Sequence, residues 1–453
     1  MSNFSAIILA AGQGKRMNSD ISKVMHKISG KPLIDWVYTK LKEAGCKNHV
    51  IVIGHKKEQI EEYFKDSVNY AIQNEMLGTG HAVMMCKDYF KGENTTVMVL
   101  CGDAPLISKE LIEKTIKSHK ESNASATVVS AIVNDATGYG RIIKDENENL
   151  LKIVEHKDAT DEEKKVNEIN SGMYCFESKD LFDALSKIKN DNAQGEYYLT
   201  DTIGILKSEG KKVKAFVCDD FEKTLGVNDR IDLAKAQKIK NKEIVTKNLI
   251  NGVTIIDPDN TYIDEDVVIG KDTIIYPNCV LRGNTIIGER CEVGPNSTIE
   301  NTTIGNDVKI INSVANEAFV GDNSTVGPFA YLRPKANIGK KVKIGDFVEI
   351  KNSNIDEGTK VSHLTYIGDS DVGKNINFGC GTITVNYDGK NKFRTTIEDN
   401  AFIGCNTNLV APVTVKKNAF IAAGSTITDD VDEDSLAIAR CRQTIKKDWR
   451  KNK

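Results

Sequence analysis

From Val326 to Ile427 the sequence keeps a six-residue beat. Aliphatic residues fall at Val326, Leu332, Ile338, Ile344 and Ile350 and, after a break, at Ile397, Ile403, Leu409, Val415, Ile421 and Ile427. Small or β-branched residues stand four further on, at Ala330, Ala336, Val342 and Val348 and again at Ala401, Thr407, Val413, Ala419 and Ser425. A helix repeats every ~3.6 residues and a strand every two, so neither alone holds a period of six for about a hundred residues. Short strands that turn a corner and stack at strand spacing do hold it, because each turn adds its aliphatic side chain to one continuous core column. Accidental spacing in a β-sandwich does not stay in register over so many positions.

The beat starts loosely, at Ile263, Ile269, Ile275, Leu281, Ile287, Val293 and Ile299, drifts in phase, and locks at Val320. It is interrupted at Thr384–Thr396, a polar and basic stretch expected to leave the coil as a loop. Residues 1–228 have a different texture. Apolar runs at Phe4–Leu9, Val50–Ile53 and Val97–Leu100 read as buried parallel strands, and Leu33–Ala44, Gly80–Cys86 and Leu111–His119 read as the helices between them, with Gly45 as a helix cap. This is the pattern of a doubly wound α/β domain, whose ligands bind beyond the carboxyl ends of the strands. Asn228–Leu249, rich in helix formers and free of Gly and Pro, reads as a connecting helix. The expected organisation is therefore an α/β domain at 1–228, a helical linker at 229–249 and a hexad coil at 250–453 that ends in a basic tail.

A chain of 453 residues, 40% hydrophobic and 28% charged, has length for two or three domains with sizeable cores. A net charge of −3 offers no bulk attraction to nucleic acid or to an anionic membrane. The first apolar run is too short for a signal peptide or a membrane span. Ten scattered cysteines with no CxxC pair indicate neither a zinc site nor a disulfide framework, and point to a reducing cytoplasm.

Leu9–Met17 (LAAGQGKRM) directly follows the first strand, and its glycines let backbone amides approach a phosphate at a helix N-terminus. Lys23, Gln73, the turn Gly78–His81 and Cys101–Asp103 fall at strand ends or loop starts of the same domain. Asp103 follows an apolar strand, where a carboxylate suits a hard cation such as Mg²⁺ that bridges phosphates; alone it fits a turn former before Pro105 equally well. Lys23 in isolation reads as a surface lysine. Of seven histidines only His363 lies in the coil, which argues against a polyhistidine zinc site there. Two residues past Val361, it sits near a coil corner. It suits a general base, with a surface histidine as the plain alternative.

The motifs LAAGQGKRM, SKVMHKISGKPL, QNEMLGTGHAV, CGDAPL, TGYGRI, IVEHKDAT, EINSGMY and NAQGEYYLTD resemble the nucleotidylyltransferase half of the bifunctional N-acetylglucosamine-1-phosphate uridylyltransferase/glucosamine-1-phosphate N-acetyltransferase family. The resemblance extends through FAYLRPKANIG, GDFVEIKNS, SHLTYIGD, NFGCGTITVNYDGKNKF, LVAPVTV and IAAGSTIT, so it runs the whole chain in the family's order. It implies a Rossmann-like α/β domain followed by a left-handed parallel β-helix. It further implies that Leu9, Ala10, Ala11 and Gly12 contact the uridine nucleotide through main chain, that Lys23 neutralises phosphate, and that Gln73, Gly78 and Thr79 read uracil and its neighbours. Gly140, Glu155 and Asn170 would hold the sugar, and Asp103 and Asn228 would ligate Mg²⁺, Asn228 also touching the nucleotide sugar.

In the second half the resemblance implies that Arg333 and Lys351 bind the phosphate of glucosamine-1-phosphate, that Tyr366 and Asn377 fix its sugar, and that His363 accepts the proton of the attacking amine. Acetyl-CoA would lie against Cys380, Asn386, Tyr387, Cys405 and Ala423, with Arg440 reaching it from the tail. A homotrimer with sites between coils is implied too. Four residues depart from the usual family pattern: Lys15 in place of threonine, Cys101 where an aromatic can stand, Cys380 in place of alanine and Cys405 in place of serine. None removes a charged or basic group. The expected activity is two-step synthesis of UDP-N-acetylglucosamine, a cell-wall precursor: acetyl transfer in the coil, then uridylyl transfer in the α/β domain. The alternatives are a single-function nucleotidylyltransferase with a structural or regulatory coil, and a non-catalytic assembly protein.

Overall fold

The computed structural model describes residues 4–92 and 94–451. The chain divides into two units, Met1–Lys240 and Asn241–Lys453, and the division falls inside the helix Arg230–Ile250. Among the described residues, no helix is long and apolar enough to cross a membrane.

The first unit is built on a sheet whose strands run in the order Val213–Val217, Ala126–Ile132, Glu168–Glu177, Thr96–Cys101, Ser5–Leu9, Asn48–Ile53 and Asn69–Ile72. The three strands read from the sequence are parallel neighbours: Ile7 pairs with Val50 on one side and Val99 on the other. They are apolar throughout because both faces are covered. Ile7, Val50 and Val99 belong to one core layer, and Ile8, Ile51 and Leu100 to the other. Each such side chain, fully withdrawn from water, contributes about 1.5–3 kcal/mol. The sheet is mixed rather than wholly parallel, since Glu168–Glu177 runs antiparallel to both of its neighbours. A bulge between Asn170 and Met173, with Gly172 at φ 78°, re-aims that strand where it passes the hairpin Arg141–Lys144/Leu150–Val154.

Two local expectations are corrected. The glycine-rich turn does not open an α-helix: it passes into a single 3₁₀ turn, Lys15–Met17, bracketed by left-handed Gly14 (φ 60°) and Asn18 (φ 46°), and the first α-helix begins at Leu33. Glycine is required at 14 because a Cβ there would lie 2.7 Å from the Cβ of Lys23. The connecting helix starts at Arg230, not Asn228. Asp229 caps it by accepting the amides of Ile231 (2.9 Å) and Asp232 (3.0 Å), which leaves Asn228 outside the helix.

The second unit is a parallel coil of three ladders. Val326 pairs with Ile344, Ile344 with Val361, Val361 with Phe378, Phe378 with Ile403 and Ile403 with Ile421, all of them buried. The drift in the beat comes from shorter corners. Val280 pairs with Thr298, but Thr298 pairs with Val314, so that turn loses two residues while the core column continues through Ile299 and Ala315. The interruption is narrower than the sequence suggested. Thr384 and Thr395 are buried within the strands Ile383–Val385 and Thr395–Ile397, so only residues 386–394 leave the coil.

Candidate functional sites

In the first unit a cavity of about 420 Å³ opens at the carboxyl ends of the strands. Leu9, Ala11, Gly12, Lys23, Gln73, Gly78, Thr79 and Asp103 line it, together with Cys101 and with Gln13, Met76 and Glu196, which the sequence had not singled out. Ala10 does not line it: its side chain is in the core and its N–H donates to Val52 O at 2.9 Å, so it shapes the strand end. The Gln73 amide nitrogen is spent on Gly78 O (3.1 Å) and stands 3.1 Å from His81 Nδ1, and no protein donor to its Oε1 is found among the described residues. A Cβ on Gly78, at φ 107°, would lie 2.6 Å from Tyr197 O, so no other residue fits. Thr79 Oγ1 accepts the amide of Leu199 at 3.1 Å.

Lys23 Nζ forms an ion pair with Asp103. Asp103 O accepts the amide of Val227 at 2.8 Å, which brings the chain back so that Asn228 lies near Asp103 without lining the cavity, its Nδ2 donating to Gly226 O at 3.4 Å. A single point, where Gly226 lacks a Cβ, lies 3.5 Å from Asp103 Oδ1 and 4.0 Å from Asn228 Nδ2. No group of three or more His, Cys, Asp or Glu side chains converges on a metal position among the described residues. One carboxylate and one carboxamide are the sparse protein set that Mg²⁺ accepts, since it keeps several waters and takes phosphate oxygens.

Gly140, Glu155 and Asn170 do not line this cavity but come together beside it. Asn170 N donates to Gly140 O at 2.9 Å, and a Cβ on Gly140 would lie 3.4 Å from Glu155 Oε2. Asn170 is held inside the bulge, donating to the Tyr174 hydroxyl (2.7 Å) and accepting from Gly172 N (3.0 Å). Thr200 Oγ1 donates to Glu155 at 3.3 Å, yet burial keeps this carboxyl above the usual range, with Asp158, Asp201 and Glu196 adding to the shift. Cys101, whose thiol burial pushes up to about 12, links cluster and cavity through Sγ, 3.8 Å from Gly172 O. Tyr174 and Thr200 carried no sequence signal beyond their motifs.

In the coil, Tyr331, Glu349 and Tyr366 are successive partners on one face. Arg333 donates to Glu349 at 2.7 Å. The Lys351 ammonium is held below its usual range, first by hydrogen-bonding contact with Lys392, then by burial and by the charges of Lys392 and Arg333. Asp369 offsets this crowding only in part: its charge favours the protonated Lys351, while its oxygens accept the Asn352 and Asn386 amides at 2.5 Å each. Arg333, Lys351 and Lys392 thus stand near one another, with Glu349 and Asp369 as their carboxylate neighbours. Lys392, from the 386–394 excursion, was not read from the sequence.

His363 stands at the corner that ends this face, 59% exposed, with Nδ1 2.7 Å from Asp346 Oδ1. Hydrogen bonding to His363 is the main reason that the Asp346 carboxyl is held below its usual range. Asp346 pairs with His363 on the preceding turn, so the coil repeat itself was the signal that could have found it. Asn377 lies beyond the corner, on the strand that pairs with Lys360 and Phe402. The following turns bring Cys380, Cys405 and Ala423 to the same corner position, and Arg440 Cδ lies 3.6 Å from where Gly424 lacks a Cβ. Asn386 and Tyr387 are not on that edge: Asn386 is buried against Asp369 at the far end of the Tyr366 face, and Tyr387 bridges to Lys392. A larger, shallower concavity of about 680 Å³ lies along Asn354, Asp371 and Glu398, and holds none of these residues.

A nucleotidyl transferase family matches residues 5–231, and the bacterial transferase hexapeptide family (six repeats) matches 266–301 and 394–429. The chain is 55% identical to the bifunctional protein GlmU of Acetivibrio thermocellus over 98% of its own length and 96% of the relative's. It is 52% identical to that of Clostridioides difficile over 99% and 97%. A solved UDP-glucose pyrophosphorylase complexed with UDP-glucose is 22% identical over 54% of this chain and 100% of its own, with a TM-score of 0.46.

Proposed function

The chain belongs to the bifunctional GlmU family, which joins a uridylyltransferase to an acetyltransferase, and we propose how its residues share the two transfers. In the first unit the main chain of Leu9, Ala11 and Gly12 faces UTP, and the free Oε1 of Gln73 accepts N3–H of uracil. Lys23 neutralises phosphate. N-acetylglucosamine-1-phosphate lies toward Gly140, Glu155 and Asn170, so that its phosphate oxygen attacks the α-phosphorus in line and pyrophosphate leaves. Asp103 and Asn228 would hold Mg²⁺, which would supply charge neutralisation for the phosphates. The observation that carries this assignment is the convergence of the glycine-rich turn, Gln73, Lys23 and Asp103 on one cavity.

Pyrophosphate release with CTP in place of UTP tests the base reader. Cytosine presents an acceptor at N3, so CTP is expected to react at least about tenfold more slowly, roughly 1.4 kcal/mol. Equal rates would remove Gln73 from that role. Glu155 gives a pH signature. It accepts sugar hydroxyls as the carboxylate, and its raised pKa means that this form is lost early as pH falls. The KM for N-acetylglucosamine-1-phosphate is expected to rise on acidification at a pH above the ordinary glutamate value of about 4.3. Glu155→Gln should abolish that dependence; a profile that kept it would assign the titration elsewhere.

In the second unit Arg333, Lys351 and Lys392 take the phosphate of glucosamine-1-phosphate, and Tyr366 and Asn377 fix its sugar. Asp346 holds Nδ1 of His363, so Nε2 takes the proton as the sugar amine attacks the thioester. Acetyl-CoA lies along Cys380, Cys405 and Ala423 toward Arg440. Asn386 and Tyr387, at the wrong edge within one chain, reach the donor from a neighbouring copy in a homotrimer. An apolar strip supports the assembly: Phe329 (57% exposed), Phe347 (59%) and Leu364 (60%) stand at positive φ on the corner that runs to His363. The two rings stack at 5.5 Å. Bulky side chains in left-handed backbone facing water have no use in an isolated coil.

Replacing all three by asparagine, which holds left-handed corner positions at 278, 296 and 312, keeps the backbone feasible. The variant is expected to elute as a monomer and to lose acetyl transfer while retaining uridylyl transfer; a variant that remains a trimer contradicts the strip's role. The ten free cysteines agree with a cytoplasmic enzyme.

A further inference from the structure

The corner that carries His363, along which the acetyl donor is placed, also presents two thiols that take no part in the bond-making steps of either transfer. Lys360 pairs with Asn377 and Tyr366 with Ile383, so Cys380 occupies on its own turn the position of His363. Phe378 pairs with Ile403 and Ile383 with Asn408, which puts Cys405 at that same position one turn further on. Neighbouring strands lie about 4.8 Å apart, within the Cα separation of about 4.4–6.8 Å that a disulfide spans. Both cysteines are exposed, and neither thiol has a hydrogen-bond partner among the described residues. The seven cysteines before them are buried or half-buried, and burial pushes the thiols of Cys46 and Cys101 up to about 12. Cys441 is exposed but lies in the tail beyond the last coil.

We propose that Cys380 and Cys405 are a modification site, a dithiol pair that a peroxide converts to a reversible disulfide across consecutive turns, closing the corner to acetyl-CoA. The functional consequence rests on the reading that the acetyl donor lies along this edge. One thiolate attacks a peroxide oxygen and hydroxide leaves, giving a sulfenic acid; the second sulfur attacks that sulfenic sulfur and water leaves. Overall two thiols and one hydrogen peroxide give one disulfide and two waters, with two electrons passing from sulfur to oxygen. A small dithiol reverses the step by exchange. A reducing cytoplasm keeps the pair open, and oxidative stress closes it.

The test treats the full-length protein with hydrogen peroxide, alkylates the remaining thiols and maps linked peptides by mass spectrometry. Acetyl and uridylyl transfer are assayed before treatment, after it, and after dithiothreitol. A Cys380–Cys405 peptide is expected, with acetyl transfer down at least about tenfold, restored by the dithiol, and uridylyl transfer unmoved. Cys380→Ala and Cys405→Ala, each compared with its own reduced sample, should keep their acetyl transfer through peroxide. Two alkylatable thiols after peroxide, a link to Cys441 instead, a linked peptide with undiminished acetyl transfer, or equal loss in the alanine variants would overturn the proposal. If the reduced enzyme transfers no acetyl group at all, the acetyltransferase reading fails and the closure with it, while the linked peptide still reports whether the pair forms.

Discussion

Asp103→Ala is expected to lower kcat/KM for pyrophosphate release at least about 10³-fold, roughly 4 kcal/mol, and to leave acetyl transfer from acetyl-CoA unchanged. The magnitude follows from what the carboxylate does. On the proposed reading it would hold a divalent cation together with Asn228, and its ion pair positions the ammonium of Lys23. Removing it would take away the charge neutralisation that a bound cation would supply and free Lys23 at the same time, and a single electrostatic stabiliser at a reacting centre is commonly worth about 10²–10³ in rate. Asp103→Asn separates shape from charge. It should fall nearly as far, because the carboxamide fills the same volume without the negative charge. Uridylyl transfer surviving in Asp103→Ala within about tenfold would remove Asp103 from the reaction.

His363→Ala is expected to reduce acetyl transfer about 10²–10⁴-fold, the range for loss of a general base. Uridylyl transfer from supplied N-acetylglucosamine-1-phosphate should be unaffected, because His363 belongs to the coil unit and the nucleotide cavity to the α/β unit. Asp346→Ala should cost less, since it only holds Nδ1 and thereby leaves Nε2 to accept the proton. The double variant should fall no further than His363→Ala, as groups acting in series are non-additive. Additive losses would mean that Asp346 acts on the substrate directly.

What the sequence revealed was whatever has a period or a fixed order. The hexads gave the coil and its core because each turn repeats the same burial, and even the drift near Ile304 preserved the stacking. The buried parallel strands were legible because both faces are covered, so their side chains do not alternate. The strand Glu168–Glu177 was not read from the sequence, because its first half, Glu-Ile-Asn-Ser-Gly, is largely polar, and its reversed direction is set by tertiary neighbours. The glycine-rich turn lines the cavity but opens no helix, since left-handed Gly14 and Asn18 end the turn after three residues.

Of the sites, motif order carried the named residues, and spatial pairing carried those it missed. Lys392 meets Lys351 only because the 386–394 excursion folds back, with Tyr387 bridging Lys392. Glu196 reaches the cavity of the first unit beside Gly78, more than a hundred residues away in sequence. Asp346 was within reach, one turn before His363.

The most direct test supplies glucosamine-1-phosphate as the only sugar, with acetyl-CoA, UTP and Mg²⁺, and follows free CoA thiol and pyrophosphate together. The expected result is thiol release first, with pyrophosphate appearing after a lag and vanishing when acetyl-CoA is left out. Pyrophosphate without thiol, or no thiol at all, would contradict the account and leave the coil a structural or regulatory appendage.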